Sequence, residues 1–219
     1  EVDKIDYKVL KNIMKNFIKK LYQLFLWIIN PLIPIYGTRH TQSEVTFTIW
    51  FFQKILGINR KAYWPVHFTS VVGGPENILI GVDAAAGISP GCYIQGGGKI
   101  IIGDYTQVGP NVGIISANHN LYNNSKSSPG EVKIGAYCWV GMGSVILPGV
   151  DLGDYTVVGA GSVVTKSFPE GYCIIAGNPA VKIKDLDPRK CIHYKNDKEY
   201  IGYIKKNDFK KYRQKKLKL

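Results

Sequence analysis

The chain has 219 residues, with 28 lysines and arginines against 16 aspartates and glutamates, and a net charge of +12. A hydrophobic share of 45% excludes a disordered polyelectrolyte, and the length suffices for one core plus extensions. Four cysteines without a C-x-x-C pair exclude a zinc ribbon and a dense disulfide scaffold, which favours a reducing cytoplasm.

The charge and the glycines divide the chain into three segments. Residues 1–64 carry 10 basic and 4 acidic side chains, residues 65–184 carry 6 and 7, and residues 185–219 carry 12 and 5. Of the 24 glycines, 21 lie within residues 65–184. This predicts a helical N-terminal extension over 1–63, a main domain over 64–184 and a basic C-terminal tail over 185–219.

The N-terminal extension begins with a predicted amphipathic helix over residues 4–29, which Pro31 and Pro34 terminate. Its most apolar stretch, residues 21–35, is shorter than the ~20 residues that a bilayer span needs. A second apolar segment, Val45 to Leu56, ends at Gly57. Two interpretations stay open: the helices pack on the main domain or a neighbouring subunit, or the basic amphipathic helix contacts an anionic membrane surface at its inner, cytoplasmic face.

The main domain has a repeat of six residues. An aliphatic or small residue recurs without a slip at six positions and in two further sets of three: Ile134, Val140, Ile146, Leu152, Val158, Val164; Ile102, Val108, Ile114; and Ile80, Ala86, Cys92. Six residues advance an α-helix by about 240°, so the repeat cannot keep one helical face. It suits a short strand followed by a tight turn, and three such units form an 18-residue coil of a solenoid.

The spacing between the sets locates two insertions. Four extra residues separate Ile80 from Ile102, and fourteen separate Ile102 from Ile134. The longer insertion, residues 116–132, is rich in Asn, Ser, Pro and Gly, which predicts an exposed loop. A loop that projects from a rigid solenoid is a common place for functional residues.

Four motifs accompany the repeat: Ile115-Ser116-Ala117-Asn118-His119, residues 134–141 (IGAYCWVG), residues 159–166 (GAGSVVTK) and residues 176–180 (AGNPA). In these motifs the chain resembles the hexapeptide-repeat acetyltransferases, among them the maltose, galactoside and xenobiotic acetyltransferases and the polysaccharide O-acetyltransferases. The resemblance implies a mainly β fold, namely a left-handed parallel β-helix flanked by the N-terminal α-helices and the C-terminal tail. It also implies a homotrimer with sites between subunits, acetyl-CoA as acyl donor and no metal.

Acetyl transfer to a hydroxyl needs a general base, and histidine titrates near neutral pH. Of the four histidines, only His119 lies at the root of the inserted loop, and the resemblance makes it the catalytic base. Its second ring nitrogen requires an acceptor, for which a backbone carbonyl and Glu131 are the candidates. His67, at the start of the solenoid, is interpreted as structural.

The resemblance also implies the binding residues. For coenzyme A these are Trp139, Gly141, Met142, Ala160, Thr165, Lys166, Lys182 and Lys184, where the lysines suit the phosphates. The candidates to contact the acceptor are Tyr93, Gln95 and Asn118. Met142 stands where sugar acetyltransferases often have a serine. This leaves the backbone N–H groups of Met142 and Gly143, and the Ser144 hydroxyl, as candidate donors to an oxyanion.

These residues predict an acetyl-CoA-dependent O-acetyltransferase that acts on a sugar or glycan hydroxyl of the surface-polysaccharide type. N-acetylation of an amino sugar, or of a xenobiotic such as chloramphenicol or streptogramin, is the alternative. A zinc enzyme on the same solenoid would need three histidine ligands, whereas residues 65–184 contain two. A noncatalytic scaffold is disfavoured by the His119 motif. The basic tail is interpreted as a solvated helix or as a contact for anions or membrane, without a fold for specific nucleic acid binding.

Overall fold

The computed structural model of the protein describes residues 11–21 and 32–219. Residues 11–21 are helical (α1), and the remainder of the helix predicted over 4–29 lies outside the described residues. Two short helices follow, α2 (Leu32–Gly37) and α3 (Phe47–Trp50), and a π-helical turn over Phe51–Ile55 continues α3. The Thr46 side chain accepts a hydrogen bond from the Ile49 N–H and so caps α3. No helix within 11–21 and 32–219 is long and apolar enough to cross a bilayer.

Eighteen short strands follow, and most of them belong to three parallel sheets that the chain visits in turn. Sheet A contains β1, β3, β6, β11 and β14, sheet B contains β2, β4, β9 and β12, and sheet C contains β5, β10, β13 and β15, with β16 antiparallel at its end. The strands are β1 (Val71–Gly73), β2 (Ile78–Ile80), β3 (Tyr93–Gln95), β4 (Lys99–Ile102), β5 (Gln107–Val108), β6 (Gly113–Ile115), β7 (Ala117–His119), β8 (Ser127–Pro129), β9 (Glu131–Ile134), β10 (Trp139–Val140), β11 (Val145–Ile146), β12 (Asp151–Leu152), β13 (Thr156–Val158), β14 (Val163–Val164), β15 (Cys173–Gly177), β16 (Ala180–Asp185), β17 (Tyr200–Ile201) and β18 (Ile204–Lys205).

The core consists of columns of aliphatic side chains, one in each sheet. Sheet B aligns Ile80, Ile102, Ile134 and Leu152. Sheet C aligns Val108, Val140, Val158 and Ile175, and sheet A aligns Ile94, Ile114, Ile146 and Val164. All of these side chains are buried. The six-residue repeat therefore encodes a parallel β-helix in which each coil stacks on the one before.

One position of the predicted repeat is wrong by two residues. Ile94, and not Cys92, is aligned with Ile114 in sheet A. The four inserted residues of this coil are therefore shared between two corners, two before Ile94 and two after it. Cys92 is nevertheless buried in the core, as a small residue beside the corner at Ser89.

The corner between sheets B and C carries a stack of four tyrosines, which we term the tyrosine ladder: Tyr105, Tyr137, Tyr155 and Tyr172. Adjacent ring centroids are 5.2, 5.0 and 5.3 Å apart. The chain beyond β16 covers this ladder, because the rings of His193 and Tyr194 pack edge-on against it. The predicted tail is thus attached to the solenoid by aromatic contacts.

Asp83 occupies the corner position that tyrosines fill in the later coils, with a left-handed φ of 50°. Its buried carboxylate accepts hydrogen bonds from Ser43 N (2.8 Å), Ser43 Oγ (2.6 Å), Gln42 N (3.3 Å) and Asn196 Nδ2 (2.6 Å). One side chain therefore ties the N-terminal extension and the tail to the first coils of the solenoid.

The chain ends in a hairpin of β17 and β18 and in helix α4 (Lys206–Lys216). Phe209 is buried, and its ring and that of Tyr212 lie 5.4 and 5.3 Å from the ring of Tyr63. The basic tail is therefore a helix that packs by one aromatic face and exposes its lysines on the other.

Candidate active site

His119 is the last residue of a β-hairpin that projects from the corner between sheets A and B. The inserted segment, predicted as a loop, contains β7 paired antiparallel with β8, and His119 faces Ser127 across this pair. The Asn120 N–H donates to the Lys126 carbonyl at 2.9 Å, which closes the hairpin below its tip. His119 therefore sits on regular structure, although its side chain is exposed to solvent in a single chain.

The tip of the hairpin fixes the His119 ring. Asn120 Oδ1 accepts hydrogen bonds from the N–H groups of Tyr122 and Asn123, both at 3.0 Å, which turns the chain back toward the histidine. His119 Nδ1 lies 2.7 Å from the Asn124 carbonyl oxygen. A carbonyl only accepts hydrogen bonds, so Nδ1 carries a proton, and in the neutral ring Nε2 then presents a lone pair.

Of the two candidate partners of His119, the structure shows the backbone carbonyl. Glu131 is engaged elsewhere, because its carboxylate lies 3.0 Å from Lys133 Nζ and 3.5 Å from Lys99 Nζ. These two ammonium groups hold the pKa of the Glu131 carboxyl below its usual value. The Asn124 carbonyl was not foreseeable from the sequence, because any residue type supplies a carbonyl.

The root of the hairpin is held by Gln95 and Ser116. Gln95 Oε1 accepts from the Ala117 N–H at 3.1 Å, and its Nε2 donates to the Ala117 carbonyl at 3.4 Å. The buried Ser116 hydroxyl donates to the Gln95 carbonyl at 2.7 Å and accepts from the Gly98 N–H at 2.9 Å. Gln95, expected as an acceptor contact, thus has both side-chain polar atoms bonded to the strand that carries His119.

Tyr93 and Asn118, the other acceptor candidates, lie on either side of the Gln95 contact. Tyr93 is about half exposed on the outer face of sheet A, beside Gly113 in the next coil. Asn118 is exposed in β7 and faces Ser128. Both side chains are open to solvent.

The candidate residues for coenzyme A fall into two groups on different corners. Thr165 and Lys166 follow β14 at the corner between sheets A and B, which also carries the hairpin, two strand spacings away from it. At the roughly 4.8 Å spacing of neighbouring strands this separation is about 10 Å. Trp139 lies in sheet C, and Met142 and Ala160 lie at the corner between sheets C and A. One chain therefore does not bring Trp139, Gly141, Met142 and Ala160 together with His119.

Two candidate lysines lie on β16, at the end of sheet C. Lys182 Nζ forms an ion pair with Asp185 at 2.9 Å, and this partner raises the pKa of the Lys182 ammonium. Lys184 is exposed on the same strand. Lys166 is likewise exposed at its corner. These three ammonium groups are accessible to an anion, with Lys182 partly neutralised by its neighbour.

Two of the three groups predicted as donors to an oxyanion already donate hydrogen bonds within the protein. The buried Ser144 hydroxyl donates to the Gly159 carbonyl at 2.9 Å, and the Gly143 N–H donates to the Pro110 carbonyl at 2.9 Å. Within the described residues, the Met142 N–H has no acceptor. Of the three groups suggested by the sequence, this N–H is therefore the one without a hydrogen-bond partner in the described residues.

The other histidines and the buried cysteines make local contacts. His67 Nδ1 lies 2.8 Å from Thr69 Oγ1, and its ring stacks on Phe68. Burial raises the pKa of the Cys138 thiol to about 12 and also raises that of Cys92, so both stay protonated and are poor nucleophiles. Among the described residues, no group of three or more His, Cys, Asp or Glu side chains is placed to hold a metal ion.

A comparison with protein-family models matches the part of the solenoid that has no insertion. Residues 131–166 match the model of the family described as bacterial transferase hexapeptide (six repeats). These residues are β9 to β14, two consecutive coils without an insertion. The match therefore places hexapeptide repeats in these two coils. The resemblance carried by the sequence motifs is confirmed at this level.

Two relatives extend this assignment. The chain is 41% identical over 78 residues to nodulation protein L of Rhizobium meliloti (strain 1021), a match that covers 34% of this chain and 42% of that protein. It is 28% identical to the solved structure of a maltose O-acetyltransferase from Clostridium difficile 630, with a TM-score of 0.52, covering 74% of this chain and 89% of that one. The match to the nodulation protein thus spans less than half of its length. These relatives support an acyltransferase enzyme.

A third solved structure is a hexapeptide-repeat acetyltransferase from Vibrio cholerae O1 biovar eltor in complex with acetyl coenzyme A. It is 21% identical to this chain, with a TM-score of 0.48, and the match covers 70% of this chain and 87% of that one.

Proposed function

We propose that this protein is an acetyl-CoA-dependent O-acetyltransferase that acts on a hydroxyl of a sugar or glycan, of the kind used in surface-polysaccharide biosynthesis. The observation that carries the proposal is the hydrogen bond from His119 Nδ1 to the Asn124 carbonyl, which leaves Nε2 as a base. The similarity to a maltose O-acetyltransferase supports the sugar hydroxyl as acceptor. The proposal includes the left-handed winding of the resembled family and the division into segments 1–63, 64–184 and 185–219.

His119 acts twice in this mechanism. Its Nε2 removes the proton of the acceptor hydroxyl as the hydroxyl oxygen attacks the acetyl carbonyl carbon, and it later returns that proton to the departing thiolate. The Asn124 carbonyl stabilises the imidazolium that forms between these steps, because the charged ring strengthens its Nδ1–H hydrogen bond. Gln95 and Ser116 position the histidine by holding the hairpin root. The Met142 N–H donates to the oxyanion that develops on the carbonyl oxygen.

Acetyl-CoA supplies an acetyl group on a thiol leaving group, and the residues suit its parts. Ala160 is exposed at a corner, and the backbone there and beside the buried Gly141 would bind the pantetheine amides, with the exposed Trp139 alongside. The exposed ammonium groups of Lys166 and Lys184, together with the Thr165 hydroxyl, would bind the phosphates. Lys182 contributes less in this proposal, because Asp185 already pairs with it.

A homotrimer completes the site in this proposal. His119 and Met142 occupy different edges of sheet A in one chain, so a neighbouring chain must supply the second set of residues. The hairpin tip supports this arrangement, because Leu121 and Tyr122 are almost fully exposed and would be covered by an adjacent subunit. The assembly needs neither a metal nor a nucleic acid, and we place it in the cytoplasm.

The test is a thiol-release assay with acetyl-CoA and a panel of sugars, oligosaccharides, amino sugars and chloramphenicol. Replacing His119 with alanine should lower turnover by roughly 10²- to 10⁴-fold, the usual contribution of a general base, with unchanged binding of coenzyme A. His67→Ala serves as the matched histidine control and should retain activity. An unchanged rate in His119→Ala would refute the base, and release only with amines would replace O-acetylation with N-acetylation.

A further inference from the structure

The described part of helix α1 has two fully separated faces. At 100° per residue, its apolar side chains fall within an arc of about 140°, and its polar side chains occupy the opposite half. The apolar face consists of Ile13, Met14, Phe17, Ile18 and Leu21, and the polar face of Lys11, Asn12, Lys15, Asn16, Lys19 and Lys20. Residues 11–21 thus carry four positive charges and no negative charge.

The apolar face of α1 is exposed. Its five side chains are between 49% and 61% accessible to solvent, whereas the aliphatic columns of the solenoid are buried. Such a contiguous apolar patch is unusual on a solvent-exposed protein surface and indicates a contact with a partner or a membrane. The partner must satisfy two conditions, because it has to accept a strip of large apolar side chains and the four lysines that border it.

We propose that α1 binds an anionic bilayer surface, lying in the plane of the interface. An apolar face with phenylalanine and leucine beside a lysine-rich face is the composition of interfacial helices. The apolar side chains would enter the acyl boundary, and the lysines would reach the acidic head groups.

A second exposed apolar surface in the N-terminal extension fits the same partner. Phe47 and Leu56 are 64% and 55% exposed, and Phe51 and Phe68 are also exposed. The charged side chains from residue 45 to residue 75 are basic, and two of them, Arg60 and Lys61, are exposed, whereas Lys54 is largely buried. An acidic partner surface is therefore favoured at both places. This inference does not depend on the reaction that the solenoid catalyses.

The experiment is sedimentation of the full chain with vesicles of phosphatidylcholine, with and without phosphatidylglycerol, at low and high salt. The wild type should bind only the anionic vesicles, and salt should weaken the binding. Replacing two apolar residues should reduce the partition coefficient about tenfold or more. The apolar-face variant is Phe17→Gln/Ile18→Gln. The control, Asn12→Gln/Asn16→Gln, changes the polar face and should bind like the wild type.

Two variants that lose the same number of charges distinguish an effect of α1 from an effect of the net charge of the protein. Three lysines removed from α1 should weaken binding by about a hundredfold, at about fivefold for each lysine near the surface. Three lysines removed from α4 should leave binding within a few fold. The pair is Lys11→Gln/Lys15→Gln/Lys19→Gln and Lys211→Gln/Lys215→Gln/Lys216→Gln. Circular dichroism confirms that each variant is folded.

Two results would overturn the proposal. Equal loss in the two lysine variants would mean that net charge alone attracts the protein to vesicles. Alternatively, a wild type that ignores anionic vesicles, combined with a change in oligomeric state in Phe17→Gln/Ile18→Gln, would assign the apolar face of α1 to a contact between subunits. Light scattering coupled to gel filtration measures that state.

Discussion

Replacing Gln95 with leucine tests whether the hairpin root positions the proposed base. The change removes two hydrogen bonds to Ala117, of 3.1 and 3.4 Å, while it keeps a side chain of similar volume. At about 1 kcal/mol net for a good hydrogen bond and less for the longer one, the hairpin loses roughly 1.5 kcal/mol of local stability. If the lost interactions are fully formed only in the transition state, this corresponds to about a tenfold fall in kcat, because each 1.36 kcal/mol is worth a factor of ten.

The assay is steady-state acetyl transfer, combined with hydrogen exchange at the Ala117 N–H. Gln95→Leu should lower kcat about tenfold, leave the KM for acetyl-CoA unchanged and speed exchange at Ala117 to a similar extent. Gln95→Glu keeps the acceptor for the Ala117 N–H and should give an intermediate kcat. Gln214→Leu, at an exposed position of α4, is the matched glutamine control and should behave as the wild type.

Two outcomes would refute this reasoning. Faster exchange at Ala117 with an unchanged kcat would show that the hairpin root does not position His119. A higher KM for the acceptor with an unchanged kcat would instead make Gln95 an acceptor contact, as the sequence first suggested.

Two further predictions concern stability. Asp83→Ala removes a buried carboxylate that accepts four hydrogen bonds, so the free energy of unfolding in urea should fall by about 3 kcal/mol. Asp83→Asn retains the left-handed backbone preference and should lower this free energy less. Asp208→Ala, at an exposed position, is the control and should lower it little. A loss below about 1 kcal/mol would contradict the anchoring role. Burial and the Arg60 guanidinium lower the pKa of Lys54 to about 8. Its unfolded pKa is near 10.4, so the cost of burying the charged amine is present below about pH 8 and is relieved as the pH rises toward 10. The free energy of unfolding of the wild type, relative to that of Lys54→Met, should therefore rise by about 1 kcal/mol from about pH 8 to pH 10, after a discount for partial exposure. A difference between the two proteins that does not change with pH would exclude a buried ammonium. Thiols and tyrosines titrate in both proteins and cancel in this difference.

The solenoid was predictable from the sequence because its periodicity is local and repeated. A buried aliphatic every sixth residue is enforced again in each coil, so one irregular corner does not obscure the pattern. The corner before Ile94 shows the limit of this reasoning. Two of the four inserted residues fit at this corner without disturbing the aliphatic columns. The sequence between Ala86 and Ile102 does not indicate how the inserted residues are divided between the two corners.

The tail and the site required three-dimensional contacts. Nothing in the sequence near Tyr194 indicates that it packs on Tyr105 and Tyr137, which are 89 and 57 residues away. The basic residues of the tail suggested a solvated segment, whereas its aromatic residues decide its position. Likewise, the motifs predict His119 as the base, but they do not predict its partner, because the role of the Asn124 carbonyl depends on backbone geometry alone.

The arrangement of the corners gives the strongest argument for the proposed trimer. A sheet in this solenoid separates two corners, and no motion short of unfolding brings the Met142 N–H to His119 within one chain, because both corners belong to the same stacked coils. Two copies related by rotation solve this, since the His119 edge of one chain can meet the Met142 edge of the next. Such a contact pairs different surfaces, so each added copy leaves one edge of each kind unused until the ring closes. Closure at three copies gives every proposed site both of its halves and leaves no edge free.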